Sequence, residues 1–248
     1  MKIALVTGAT SGIGLATAEH LAAVGYKLII CGRREERLKE LSSKVEVETY
    51  PLVFDVRDKA AVNAAIASLP EEWKAIDVLI NNAGNAHGLG KIQDGNVDDW
   101  EAMIDINVKG LLYMTKAVVP GMIARATGHI VNIGSVAGKE VYPNGNVYCA
   151  SKHAVDALNS GMRLDLNGTG VKVSQVCPGL VETEFSLVRF KGDEDRAGAV
   201  YQGFDPLTAN DIADLIQFIV TRPAHVNIAD TLIFPAAQAG STVVDRKA

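Results

Sequence analysis

Short apolar, β-branched segments alternate with longer stretches of helical period from one end of the chain to the other. The runs predict strands over 3–7, 27–31, 48–54, 77–80, 129–133, 172–177 and 231–234. Between them the 3.6-residue period predicts helices near 13–24, 35–45, 58–68, 97–125 (as two), 148–167 and 209–220. In 35–45, Leu38, Leu41 and Val45 share one face while Glu35, Lys39 and Glu40 face water. This alternation is the βαβ pattern of a parallel sheet with helices on both faces. No internal repeat, low-complexity block or Pro/Gly-rich linker divides the chain, so one doubly wound α/β domain over 1–248 is expected.

Composition narrows the class of partner. Of 248 residues, 48% are hydrophobic and 21% charged, the mix of a foldable globule. The 24 basic and 29 acidic side chains leave a net charge of −5, which argues against a nucleic-acid partner. No apolar run approaches the ~20 residues of a membrane span. Met1 to Val6 lead straight to Gly8 with no basic start, apolar stretch and cleavage site, so no secretory signal is expected. Cys31, Cys149 and Cys177 are odd in number and widely spaced, as for reduced thiols in a cytoplasmic protein. The histidines show no ligand spacing, and no metal site is expected. A small molecule or a protein remains as partner.

The unusual residues fall at the carboxyl ends of the predicted strands, the edge where open α/β sheets bind ligands. Gly8, Gly12 and Gly14 follow the first strand and open a helix, with Thr10, Ser11 and Ile13 between them. In that context the spacing suits a tight turn, a close approach to a pyrophosphate and close helix packing, with the helix N-terminus toward the phosphates. Glycines that merely end strands are the alternative for any single loop. Arg33 and Arg34 end the second strand, where a dinucleotide fold reads its ribose; two guanidinium groups suit a 2′-phosphate and favour NADP. They could instead simply open a polar helix, and Glu35 and Glu36 just beyond keep NAD open. Asp55, followed by Val56, ends the third strand and could meet the adenine amino group or, with Asp58, cap the next helix. Asn82, Ala83 and Gly84 follow the fourth strand, and Pro178 and Gly179 the sixth.

Tyr148 and Lys152 stand four residues apart on one predicted helical face, and Ser135 ends the fifth strand. An adjacent cation lowers a phenol's pKa toward a useful acid/base range, and a serine hydroxyl can donate to a developing alkoxide. Taken in order, Thr7-Gly8-x-x-x-Gly12-x-Gly14, Asn81-Asn82-Ala83-Gly84, Asn107, Ser135, Tyr148-x-x-x-Lys152 and Pro178-Gly179 resemble the short-chain dehydrogenase/reductase family over nearly the whole chain. The resemblance implies a Rossmann-type sheet of seven parallel strands in the order 3-2-1-4-5-6-7. It implies Tyr148 as general acid/base, Ser135 as the group that polarises the carbonyl, and Lys152 as the cation that lowers the tyrosine pKa and holds the nicotinamide ribose. Asn107 would help hold a water linking Lys152 to solvent. Tyr148 and Lys152 would touch the cofactor too, with Val181 and Thr183 at its nicotinamide end.

Residues 180–205 are where this family encloses its substrate. Phe185-Ser186-x-Val188-Arg189-Phe190-Lys191-Gly192-Asp193 and Pro223-Ala224-His225-Val226-Asn227-Ile228 resemble a subgroup of NADP-dependent 3-hydroxy acid dehydrogenases acting on serine, L-allo-threonine and related acids. The subgroup implies a homotetramer, and a relative within it reduces sulfoacetaldehyde to isethionate. Ser135, Tyr148 and Arg189 are the expected substrate contacts, Arg189 because its planar fork suits a carboxylate or sulfonate. A surface arginine in a mobile loop is the alternative. Lys191 and Asp193 are expected in loop or subunit contacts, and Tyr142 and Glu140 could wall the pocket. A 3-oxoacyl or general ketone reductase, and a non-catalytic NADP sensor, are the competing functions.

Overall fold

A computed structural model describes residues 1–247. Seven parallel strands form the main sheet: β1 (Ile3–Thr7), β2 (Lys27–Gly32), β3 (Thr49–Val53), β4 (Ile76–Asn81), β5 (Gly128–Ile133) and β6 (Val171–Pro178), then β9 (Asp230–Ile233). A separate two-residue pair, β7 (Val181–Glu182) with β8 (Leu207–Thr208), lies between β6 and β9 in the chain. The sheet order is β3-β2-β1-β4-β5-β6-β9, the expected doubly wound order with its final strand ninth in the chain. Every pairing in it is parallel.

The helices are α1 (Gly12–Ala23), α2 (Glu35–Lys44), α3 (Lys59–Ala67), α4 (Val97–Ile104), α5 (Leu111–Ala124), α6 (Asn146–Asp165), α7 (Glu184–Arg189), α8 (Glu194–Ala199) and α9 (Ala209–Val220). The central strands are buried on both faces, which is why β1 and β2 read as continuous apolar runs, while β5 and β6 carry the buried polar residues His129, Asn132, Ser174 and Gln175. Alternate residues feed opposite layers: Ala4, Val6, Leu28, Ile30, Val78 and Ile80 pack under α1, α2 and α9. Ile3, Leu5, Ile29, Leu79, Ile130 and Val173 pack under α3 and α5. Each fully buried Leu or Ile here contributes roughly 1.5–3 kcal/mol.

Two expectations change. The stretch read as two helices over 97–125 is continuous, because a π-helical segment, Asp105–Gly110, joins α4 to α5. The wider turn also switches partners. Met103 before it packs with Tyr148 and Cys149, whereas Met114, Val118 and Met122 after it pack on the sheet. Asp55 does not cap a helix. Asp58 alone caps α3, accepting from the Ala60 and Ala61 amides, and Asp55 instead holds Arg57 at 2.7 Å.

A buried chain of amides crosses the sheet centre. Asn81 donates to Thr115 Oγ1 and Asn132 Oδ1 at 3.0 and 2.9 Å, and Asn132 donates to Asn159 Oδ1 at 3.1 Å. The three cysteines are buried and free. Among the described residues, no helix is long and apolar enough to cross a membrane.

Candidate active site

The carboxyl ends of the strands open into one crevice of about 580 Å³. Its floor begins at the glycine loop between β1 and α1. Gly12 has φ +52°, a left-handed backbone that favours glycine, and a Cβ on Gly14 would sit 2.3 Å from the Gly8 carbonyl oxygen. Ser11 stands at the α1 N-cap, yet no side chain caps the first amides of that helix. They are free to meet an anion, which the positive end of the helix dipole favours.

The loop is locked to β4. Thr7 Oγ1 accepts from the Asn82 and Ala83 amides, both at 3.0 Å, and the Asn82 side chain donates to Thr7 O at 2.8 Å. Gly8, Thr10, Ser11, Gly12 and Ile13 line the crevice together with Asn82, Ala83 and Gly84. Gly14 does not line it, because it packs behind the loop against Gly8.

Arg34 folds over the loop rim, donating to Thr10 Oγ1 at 2.9 Å and Ser11 Oγ at 2.7 Å. Arg33 is more exposed and lies 3.9 Å from Asp55. Arg57, with smaller help from Arg33, holds the Asp55 carboxyl below its usual range against the opposing effect of burial, which is the largest single influence. Arg33, Arg34, Asp55 and Val56 all line this end of the crevice. A cationic rim beside uncapped helix amides fits the phosphates of a dinucleotide.

At the other end, Ser135, Tyr148 and Lys152 share the crevice with Pro178, Gly179, Val181 and Thr183. Ser135 Oγ accepts from the Ala137 amide at 3.1 Å. Tyr148 and Lys152 project from the first turns of α6, and both are buried. Burial raises the Tyr148 pKa above its ordinary value; the Tyr142 phenol also raises it, while the Ser135 hydroxyl and the Arg189 guanidinium pull it down. Burial lowers Lys152 to about 8. Lys152 Nζ donates to the Ile133 carbonyl at 2.9 Å, so its ammonium is turned toward the sheet. The guanidinium that eases Tyr148 is that of Arg189.

Asn107 lies outside the crevice wall, buried in the π segment. Its amide clamps both backbone groups of Asn85, accepting from the N–H at 2.9 Å and donating to the C=O at 2.8 Å. It also donates to Ser151 Oγ at 3.0 Å, and Ser151 donates to Tyr148 O at 2.7 Å. Asn107 thereby connects the loop after β4 to the helix that carries the tyrosine.

Helix α7 roofs the crevice. Phe185 packs against Tyr148 with ring centroids 5.7 Å apart. Arg189 lies 5.5 Å from the Tyr148 ring and 5.7 Å from the Tyr142 ring, donating to Gly88 O and Tyr142 Oη at 3.2 Å each. It lines the crevice and is not a loose surface residue. Tyr142 is a wall, whereas Glu140 is exposed and accepts from the Ser241 amide at 2.8 Å. Lys191 pairs with Asp99 at 2.9 Å, and Asp193 caps α8.

Sequence reasoning missed three participants. Arg37 donates to Glu184 Oε1 at 2.6 Å and to Thr10 O at 3.3 Å. Glu184 also takes Arg34 at 3.0 Å. Gln238 is buried beyond β9, accepts from the Leu180 amide at 2.8 Å and brings Ser241 and Thr242 to the crevice. Only the charge of the first two was visible in the sequence.

Fold and crevice together define a nicotinamide-type dehydrogenase scaffold. Residues 2–193 match the short chain dehydrogenase family, and the chain belongs to it. The chain is 49% identical over 251 residues to the NADP-dependent 3-hydroxy acid dehydrogenase of Schizosaccharomyces pombe, covering 99% of this chain and 97% of that one. It is 47% identical over 248 residues to sulfoacetaldehyde reductase 2 of Chromohalobacter salexigens, covering 98% of each. Among solved structures, the closed form of serine dehydrogenase complexed with NADP+ superposes with a TM-score of 0.95 at 46% identity, over 99% of this chain and all of the other.

Proposed function

We propose that this protein is an NADP-dependent dehydrogenase that transfers a hydride between the cofactor and the hydroxyl-bearing carbon of a small 3-hydroxy acid of the serine, allo-threonine or 3-hydroxypropionate type. One observation carries the reading: a guanidinium, Arg189, stands beside the buried tyrosine at the end of the crevice opposite the Arg33 and Arg34 rim. One cationic end suits a 2′-phosphate and the other an acid group on the substrate.

In this reading Tyr148 takes the substrate's hydroxyl proton and Ser135 donates a hydrogen bond to the oxygen as charge develops on it. The nicotinamide, when bound, supplies the hydride acceptor. Lys152 holds the ribose, and Asn107 positions α6 through Ser151 and the loop after β4 through Asn85. The glycine loop, Asn82 to Gly84, and Pro178 to Thr183 hold the cofactor. Residues 180–205 form the substrate loop, and Arg189 anchors the acid group.

The test is an absorbance assay at the reduced-nicotinamide band, with NADP and NAD side by side. Its substrates are serine, allo-threonine, 3-hydroxypropionate, 3-hydroxyisobutyrate, isethionate and a neutral secondary alcohol. Turnover of the carboxylic acids with NADP is the expected result. A second reading, sulfoacetaldehyde or isethionate turnover, is supported by the same guanidinium, which suits a sulfonate equally, and by the reductase relative. Turnover of carrier-bound oxoacyl substrates alone, or NADP binding without any turnover, would overturn both. We further propose a cytoplasmic homotetramer. Leu112, Ile123 and Leu164, exposed on α5 and α6, supply apolar surface for subunit contacts, and light scattering tests it.

A further inference from the structure

The roof helix is tied to the cofactor end by an ion-pair cluster that the reaction does not require. Glu184, in the first turn of α7, places one carboxylate oxygen 3.0 Å from Arg34 Nη1 and the other 2.6 Å from Arg37 Nη1. Both arginines also bond the glycine loop, Arg34 through the Thr10 and Ser11 hydroxyls and Arg37 through the Thr10 carbonyl. All three side chains are about two-fifths exposed, so the cluster is open to an incoming solute. A carboxylate spanning two guanidinium groups sets anionic oxygens against the same donors that a phosphate monoester would use.

We infer that Glu184 is a specificity-determining residue for the cofactor: it is the internal counter-ion of the 2′-phosphate site, and the phosphate competes with it for Arg34 and Arg37. The inference rests on the proposed reading of this rim as an NADP site. Arg34 spends its Nε and Nη2 on Thr10 and Ser11 and its Nη1 on Glu184. A phosphate arriving there must take donors from the carboxylate or face its negative charge at close range. Arg33, which is exposed and only loosely paired with Asp55 at 3.9 Å, is free to join the phosphate. The carboxylate thus lowers affinity for the 2′-phosphate while leaving NAD, which lacks that group, almost untouched. It also keeps α7 seated over the crevice before the cofactor arrives.

The test compares wild type with Glu184→Gln by calorimetric titration of NADP, NAD, 2′,5′-ADP and 5′-AMP, with no substrate present. Losing the competition of two exposed ion pairs should tighten NADP and 2′,5′-ADP about two- to thirtyfold. NAD and 5′-AMP should change less than about twofold. Hydrogen exchange of the α7 amides in cofactor-free protein should be faster in the variant. Unchanged or weaker NADP and 2′,5′-ADP binding in Glu184→Gln overturns the inference and makes Glu184 a support for the arginines. Failure of the underlying cofactor reading looks different: wild type itself would bind 2′,5′-ADP no better than 5′-AMP.

Discussion

Removing the Arg189 guanidinium should separate acidic from neutral substrates. Its Nε and one Nη2 hydrogen are spent on Gly88 O and Tyr142 Oη, both at 3.2 Å, the long end of the range. The Nη1 hydrogens and the remaining one on Nη2 are unspent and form the side of the fork that can meet a carboxylate. Charge-assisted hydrogen bonds contribute about 1.5–3 kcal/mol each, and the half-buried setting argues for a total of about 3 kcal/mol for the pair. Arg189→Ala should therefore lower kcat/KM for serine or 3-hydroxypropionate roughly 100-fold, mostly through KM. A neutral secondary alcohol should lose far less, only what a looser roof and the missing guanidinium beside Tyr148 cost, because it has no acid group for Arg189 to hold. Arg189→Gln is the control. It has an amide able to donate to Gly88 O but no charge, so it should fall no further than Arg189→Ala on the neutral substrate and still lose the acids. The assay is steady-state reduction of NADP across both substrates with all three proteins. An equal fall for acid and neutral substrates in both variants refutes the anchor and leaves Arg189 as a prop for α7.

Other outcomes follow from buried polar groups. Burial lowers Lys152 from 10.5 to about 8, so below pH 8 the folded, cofactor-free protein holds a charge that the unfolded chain solvates better, and that cost fades as pH rises toward 10.5. Lys152→Met should be inactive yet raise unfolding stability at pH 7 by about 1–3 kcal/mol, the gain shrinking by pH 10; denaturant titration at both pH values checks it. His129 is buried against Ser174 Oγ at 2.7 Å and its pKa is lowered to about 3, so the unfolded state binds the extra proton first. Stability should fall by about 1.4 kcal/mol per pH unit below roughly pH 6 from this group, and His129→Gln should flatten that slope in urea melts. Asn132→Ala leaves Asn81 Nδ2 and Asn159 Oδ1 each short of a buried partner, and should cost about 3 kcal/mol in the same melts. A loss under about 1 kcal/mol would mean that water or a neighbour replaces the amide.

The fold was largely legible because both sheet faces are buried, so each central strand left a short cluster of apolar, mostly β-branched residues, uninterrupted in β1 and β2. What escaped is short or irregular. Helix α7 has six residues and α8 six, too few for a period to show, and their starts are set by the Thr183 and Asp193 caps. The π segment preserves a helical look at 97–125 while defeating the phase, so one rod read as two. In the site, the glycines, Ser135, Tyr148 and Lys152 were legible because each stands at a strand end or on a helix just beyond one. Arg37 and Glu184 were not, since their contact joins residues 147 apart in sequence and each looks like an ordinary surface charge. Gln238 was silent for the same reason, meeting Leu180 across 58 residues. Spacing put Lys152 and Tyr148 on one face but could not show that the ammonium also bonds the Ile133 carbonyl.

The π segment makes the width of one turn a functional variable. A π turn takes up one residue more than the α turn it replaces, and so lets the flanking helices keep their seats although the chain carries that extra residue. If the turn tightened to regular α-helix with the chain length unchanged, every residue on one side would rotate by about 100° relative to the other. Either Met114, Val118 and Met122 would leave the sheet, or Met103 would leave Tyr148 and Asn107 would swing away from Asn85 and Ser151. The contacts of one flank with the sheet and of the other with the tyrosine helix therefore coexist only while the wide turn is kept.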